Sequence, residues 1–423
     1  MSGNQVLIVG AGLAGLACGL HLKRKNIPFL ILEASDAPGG RIRTDLVEGY
    51  RLDRGFQVFL TAYPEARNLL NYEALRLKAF LPGALIRYQG NFHRVSDPFR
   101  DPTHLLETIS SPIGSLADKL SIARLRLHLS CETGADHTFS RTNSTLQSLR
   151  RFGFSDSMIE RFFRPFFGGI FLERDLSTSS ENFAFLFRLF ASGQTTIPEN
   201  GMEEIPRQLA RDVGSENIQL NSSVTTVAGQ EVILSTGERI SSEHIVLATP
   251  SHILSELLYD LKTPNRDNAV TCLYFGADDA PISEPILVLN GESQGIINNM
   301  CVLSKVSANC APNNKSLISI TVLGNPTENN QTLEEKVRQE LVDWFGITTR
   351  QWQHLRTYRI KHALPNQSPA NLAPLPPRQE LREGLYVCGD HTSIGSINGA
   401  LKSGRIVSEL VAAKVRAIDY AHC

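Results

Sequence analysis

The sequence predicts an α/β protein whose main sheet is assembled from separated stretches of chain, joined to a second β-sheet unit and a helical unit. Three observations carry this expectation. Val6-Leu7-Ile8-Val9 is a short apolar, β-branched run that reads as a buried parallel strand, and Gly10, Gly12 and Gly15 follow it at the GxGxxG spacing. Near the other end, Leu385-Tyr386-Val387 runs into Gly389-Asp390 and then Gly395-Ser396-Ile397-Asn398-Gly399-Ala400. Between them, strand-like runs such as Thr271 to Phe275 and Leu317 to Val322 alternate with a helical pattern.

The first motif reads as a Rossmann-like phosphate loop. Gly10 permits the tight turn, Gly12 admits a pyrophosphate close to the backbone, and Gly15 lets the helix approach the sheet, with Gly19 extending that packing. Leu13 and Ala14 open the helix, whose N-terminus points at the phosphates. Leu16 and Leu20 mark its inner face, and Asn26 with Pro28 ends it. Phe29 to Leu32 is the second strand, ending in Glu33-Ala34. An acid at Glu33, about 20 residues past the glycines, suits a ribose hydroxyl.

Three further stretches favour FAD over NAD. Gly39-Gly40-Arg41-Ile42-Arg43-Thr44 places a double glycine and two arginines straight after the second strand, and Arg41 is suited to contact a pyrophosphate through both arms of its fork. Gly49 to Phe59, including Asp53, Gly55, Phe56, Gln57 and Val58, reads as a glycine-punctuated strand running past the flavin ring. Gly384 to Asp390 reads as a strand ending in a glycine and an acid.

These motifs resemble the flavin amine oxidase superfamily, which includes monoamine oxidases, protoporphyrinogen oxidases and phytoene desaturases, and whose FAD domain is of the GR2 type. The resemblance implies that Asp390 binds the ribityl or phosphate part of FAD, that Ile397 offers backbone N–H to the pyrimidine edge of the flavin with Ser396 also at the cofactor, and that Val224 meets the adenine side through its backbone. Ile245 to Pro250 resembles the superfamily's strand leaving the adenine site, and Thr196 to Met202 a proline-and-glycine turn before it.

The corresponding organisation is a discontinuous FAD-binding domain at 1–70, 195–255 and 380–423. The substrate-binding domain takes 75–190 and 256–375, with a helical, Phe-rich part at 120–190. It opens on a hairpin, Ala84 to Tyr88 and Phe92 to Val95. Its later helix is read as capped by Thr332 with Glu335 and closed by Gly346, and Ala373 to Pro377 as the linker back.

Eleven of the 20 phenylalanines fall between 151 and 190, interleaved with arginines 150, 151, 161, 164 and 188. An aromatic core, the lining of a tunnel for an apolar substrate, and a membrane face with arginines at the headgroups all remain open readings. Around Gly395-Ser396-Ile397-Asn398 stands no Tyr or Trp, where amine oxidases carry half of an aromatic cage. Gly55 to Pro64 is similar to the Gly-Leu-His-Ile-Phe-Phe-Gly-Ala-Tyr-Pro stretch of plant-type phytoene desaturases, with Gln57 in place of His.

The expected function is therefore an FAD-dependent oxidoreductase taking hydride from a lipophilic or polycyclic small molecule and passing electrons to oxygen or a quinone. The alternatives are an amine or amino-acid oxidase with a cage from Tyr63 or Trp352, an isomerase using reduced flavin, and a binding protein that retains FAD as structure. Lys305, Gln57 and His362, which with Lys361 is read as following the strand Thr357 to Ile360, are the candidates for catalysis, and His391 borders the cofactor.

A formal net charge of −1 gives no pull toward nucleic acid, and seven cysteines without CxxC pairs point to a reducing compartment and no metal. Neither a signal peptide nor a membrane-spanning run is read, so the expected location is cytoplasmic or peripheral on a membrane.

Overall fold

Val6–Val9 and Phe29–Leu32 form adjacent parallel strands in the full residue-by-residue register, Val6 to Phe29 through Val9 to Leu32. The computed structural model describes residues 5–131, 138–259, 267–372 and 379–421. The proposed linker at Ala373 to Pro377 lies outside them.

The sheet has six strands in the order Ile218–Gln219, Phe29–Leu32, Val6–Val9, Ile245–Leu247, Leu385–Val387, Glu380–Arg382. The first five are parallel and the last is antiparallel. Three distant stretches therefore meet in one sheet, and their apolar strands are buried because helices or loops cover both faces.

The Leu13–Arg24 helix is buried from Leu13 through Leu20, more than its Leu16 and Leu20 face requires. The long C-terminal helix, Ile397–Ala421, covers its outer side. At their crossing a Cβ on Gly404 would run into the Ala14 carbonyl and stand 2.9 Å from the Cys18 nitrogen, so only glycine admits this approach. Gly19 does the same toward the sheet, where a Cβ would press within 2.8 Å of the Phe29 ring.

A second sheet of seven strands runs Gln353–Pro365, Asp267–Ala277, Ser316–Leu323, Asn299–Val302, Leu287–Asn290, Gly83–Tyr88, Asn91–Ser96. The hairpin at its end is the expected one, turned at Gln89 and Gly90 with positive φ. Its one parallel pairing, Gly83–Tyr88 with Leu287–Asn290, joins the hairpin to strands two hundred residues on.

Three expectations are corrected. Gly49 to Phe59 is not one strand: Tyr50–Asp53 and Phe59–Leu60 are separate, because Gly55 takes φ 93° and breaks the extended run. The helix of the second sheet is Asn330–Phe345, capped by Asn329, whose Oδ1 accepts the Thr332 N–H at 2.9 Å; Thr332 lies inside the first turn. Lys361 and His362 do not follow the strand but belong to it, within Gln353–Pro365.

The Phe-rich segment is helical, at Thr145–Phe152, Asp156–Met158, Arg164–Phe171 and Ser180–Ser192, with a π turn at Ile159–Phe163. Pro165, which has no N–H for Arg161, sits beside that widening. Phe152, Phe154, Phe163, Phe167, Phe171 and Phe183 are buried, with Phe167 and Phe183 rings 4.5 Å apart. The membrane-face reading of this cluster does not fit such burial.

Gly404→Ala is expected to destabilise the fold by about 1–3 kcal/mol, the range for overpacking a tight contact. Urea unfolding of the purified protein measures it. A midpoint equal to wild type would mean that the two helices can separate without cost.

Candidate active site

The four strand ends Val9, Leu32, Leu247 and Val387 open on one edge of the parallel sheet, the edge at which α/β sheets bind ligands. Gly10 leaves the first strand with φ 105°, and a Cβ there would stand 2.9 Å from the Ala248 carbonyl oxygen. Gly12 is the N-cap of the Leu13–Arg24 helix and brings no capping side chain, so the first N–H groups of that helix, at Leu13, Ala14 and Gly15, face outward.

Glu33, buried at the end of the second strand, organises the loops around it. Its Oε2 accepts the Ala11 N–H at 2.7 Å and its Oε1 accepts both Ser35 N–H and hydroxyl, at 2.9 and 2.5 Å. The Glu33 carbonyl accepts the Ser222 N–H, which brings Val224 alongside and leaves Ala34 between the two anchored residues.

The double glycine follows. Gly39 N–H bonds to the Ala11 carbonyl at 2.9 Å, and a Cβ on Gly40 would lie 3.4 Å from the Gly12 Cα. Arg41 then reaches across the chain: one nitrogen donates to Asp390 Oδ1 at 2.7 Å and another to the Ala363 carbonyl at 2.9 Å. Burial works against the Arg41 charge, and the Asp390 carboxylate outweighs it, so the guanidinium is held above its ordinary value. Sequence reading places both residues at the cofactor; the pairing between them emerges only here.

A second network clamps this loop from below. The Thr44 hydroxyl donates to Asp53 Oδ1 at 2.5 Å, Met202 N–H donates to the same oxygen, and Glu203 N–H donates to the Thr44 hydroxyl. Glu203 pairs with Arg43. Burial pushes the Asp53 carboxyl up to about 6, while the Thr44 and Met202 bonds pull it back.

On the other side, Asn182 and Gly395 N–H both donate to Gln367 Oε1, at 2.6 and 2.7 Å, and Gln367 donates to the Ser393 carbonyl at 2.5 Å. This ties the Phe-rich Ser180–Ser192 helix to the loop that starts the C-terminal helix. Ser396 caps that helix by accepting the Gly399 N–H at 3.0 Å, ahead of Ile397. Gly389 N–H is held by Ser403 at 2.9 Å. Gln367 and Asn182 give no sequence signal, since neither lies in a glycine or charge motif.

The three catalytic candidates are dispersed in role. Lys305 is exposed on the short Leu303–Val306 helix. The Gln57 amide is spent on the Arg41 and Arg54 carbonyls, at 3.2 and 3.4 Å. His362 bonds through Nδ1 to Asp267 at 3.0 Å and stacks on His252, ring centres 3.7 Å apart.

His252, Asp267 and His362 form the one metal-like group among the described residues. The ring planes are 22° apart at that stacking distance, so a single ion cannot lie in both planes, as imidazole coordination requires. Nothing further among the described residues identifies a metal centre.

The model for flavin containing amine oxidoreductases matches residues 13–412, nearly the whole chain. The chain belongs to the flavin-containing amine oxidoreductase family. This family member is 27% identical to protoporphyrinogen oxidase 2 of Arabidopsis thaliana over 169 residues, 40% of this chain and 33% of that protein. It is 24% identical to a probable flavin-containing monoamine oxidase A of Dictyostelium discoideum, over 63% of this chain and 62% of that one. The alignments thus span a third to three fifths of these relatives. A 1-hydroxycarotenoid 3,4-desaturase of Flavobacterium sp. and a phytoene dehydrogenase of Streptomyces griseus match over shorter stretches. In fold, a putative protoporphyrinogen oxidase from Exiguobacterium sp. superimposes with a TM-score of 0.69 at 18% identity, covering 98% of this chain and all of the other.

The family is flavin-containing, and the residues of this chain fit FAD. A Cβ on Gly12 would meet nothing within 4 Å, which leaves open space over the uncapped helix end. Two buried polar atoms close to the glycine and acid motifs have no partner, Thr249 Oγ1 beside Gly10 and His391 Nε2 beside Asp390. Burial holds the His391 imidazole below its ordinary value, against the opposing pull of Asp390. Thr249 escaped the sequence reading, although its strand was identified.

Arg41→Met is expected to weaken FAD binding by about tenfold to a hundredfold, the worth of a charge-assisted hydrogen bond. Flavin fluorescence after ultrafiltration measures it. For Asp53 the sign follows from its raised value: the folded protein holds the proton more tightly, so its contribution to stability is lost as pH rises from about 4 to about 6. Asp53→Asn should remove about 3 kcal/mol of that slope, seen by unfolding both proteins across the same pH range.

Proposed function

We propose that the protein oxidises an apolar small molecule, of polycyclic or polyene type, by hydride transfer to bound FAD. The observation that carries this reading is the link Asn182–Gln367–Gly395, which holds a phenylalanine-rich helix against the loop preceding the flavin-side helix. Phe185, Phe187 and Phe190 on that helix, with Phe162 and Phe166, are only half-buried, so aromatic surface remains on this helical layer. Phe166 and Phe190 approach within 5.3 Å, and Phe56 follows Gly55 at the cofactor loop.

The candidate cage residues are committed elsewhere. Trp352 is buried against Phe275 and Phe345 in the core of the second sheet. Tyr63 is buried edge-on to Phe59, at 5.7 Å. Asn398 turns away to accept the Glu65 N–H at 3.0 Å.

In this reading the apolar wall binds and orients the substrate and excludes water, while the glycine loops and the Arg41–Asp390 pair fix the cofactor. Bound FAD supplies the two-electron acceptance, and the electrons then leave to oxygen or a quinone. An apolar wall suits substrates whose proton leaves from carbon or a ring nitrogen. The long alignment with a monoamine oxidase supports a second reading, oxidation of an amine.

Anaerobic mixing with porphyrinogens, polyene precursors, amines and amino acids separates the two. Bleaching of the flavin by members of the first two classes is expected. Bleaching by amines alone would overturn the apolar assignment, and isomerisation without net bleaching would identify a non-oxidative use of reduced flavin.

A further inference from the structure

Twelve large apolar side chains stand exposed among the described residues, and seven of them lie between Phe99 and Leu127: Phe99, Leu105, Leu106, Ile109, Leu116, Leu120 and Leu127. Leu106 is 81% exposed, and Leu120 and Leu127 are each 66% exposed. Scattered leucines on a surface need no explanation, but this many in one short stretch does.

The Leu116–Cys131 helix explains their arrangement. At 100° per residue, Leu116, Leu120 and Leu127 fall within about 40° of one another, on the side opposite Leu125 and Leu129. Leu125 and Leu129 are buried in the aromatic core. The helix is thus apolar on two faces, and the protein's own fold uses only one.

Cations border the free face on both sides, Lys119 and Arg126 along one edge and Arg124 along the other. The acid of the same helix, Asp118, points inward and accepts from Ser115 and Ser155. Lys119 donates to the Ile109 and Ser111 carbonyls and Arg124 to the Phe152 carbonyl, so neither spends its charge on a carboxylate there. Arg126 pairs with Asp97 and also covers the Phe99 ring at 4.6 Å. An apolar stripe with long cationic side chains at its margins matches the boundary between acyl chains and anionic headgroups. No described helix is long and apolar enough to cross a membrane, so the contact is a surface one.

We propose that the leucine face of Leu105–Ser110 and Leu116–Cys131 docks the protein on an anionic lipid bilayer. The face lies over the phenylalanine core: Arg124 bonds to the Phe152 carbonyl and Arg100 to that of Phe190. The docking side and the aromatic wall therefore belong to one helical layer. The proposal stands whether or not the substrate is apolar.

Flotation with vesicles of phosphatidylcholine containing about one third phosphatidylglycerol tests it, alongside pure phosphatidylcholine, at low and high salt. The wild-type protein should float with the anionic vesicles, less at high salt. Leu116→Glu/Leu120→Glu/Leu127→Glu should lose about tenfold of that binding with unchanged flavin absorbance and unfolding midpoint, since exposed leucines carry no core packing. Should the triple variant not fold, Leu106→Glu alone serves, and its reduced flotation is the expected result. A wild-type protein that stays at the bottom, equal flotation of the folded variant, or equal binding to neutral vesicles would overturn the proposal. Dissociation of a dimer by the variant, seen in sedimentation, would do so too, by assigning the face to a second copy.

Discussion

The Leu13–Arg24 helix and the C-terminal Ile397–Ala421 helix approach closely enough that Gly404 leaves no room for a side chain above Ala14 and Cys18. This backbone contact sets where everything else can stand. It carries Gly389-Asp390 to the edge of the sheet at which Gly10 to Gly15 turns, through Ser403 holding the Gly389 N–H. Arg41 can then bridge to Asp390, and the glycine loops from both ends of the chain share one cradle. Interiors are close-packed, so a methyl inserted at the crossing shifts these groups together rather than one at a time.

Electrostatics in that cradle follow from burial. Asp390 is nearly inaccessible, and Arg41, which retains partial exposure, compensates it; removing either leaves a charge without its partner. Asp53, by contrast, is buried among a hydroxyl and backbone N–H groups, and its proton is held accordingly. The two buried acids thus play different parts. Asp390 is paired with a cation, while Asp53 fixes the Gly39 to Thr44 loop through hydrogen bonds to Thr44 and Met202.

The phenylalanine cluster illustrates what composition leaves open. Its phenylalanines fit a core, a tunnel wall or a membrane face, because each uses aromatic side chains at helical spacing. Packing separates them: one set of rings interlocks in the interior, another stays half-buried at its margin, and a run of exposed apolar side chains, mostly leucines, stands earlier in the chain.

The glycine spacing, the strand before it and Glu33 after it were sufficient for the parallel sheet and a dinucleotide, and the Gly39 to Thr44, Gly49 to Phe59 and Gly384 to Asp390 stretches turned that to FAD, because those residues answer local steric demands that few other residues satisfy. The cap at Asn329, the break at Gly55 and the strand position of His362 were less legible, since neighbouring residues offer competing local hydrogen bonds and φ choices. Arg41 with Asp390, Asn182 with Gln367 and Thr44 with Glu203 join residues far apart along the chain. Only the tertiary structure decided those partners, because a long-range hydrogen bond depends on where two backbones meet, and no local pattern in either segment encodes that distance.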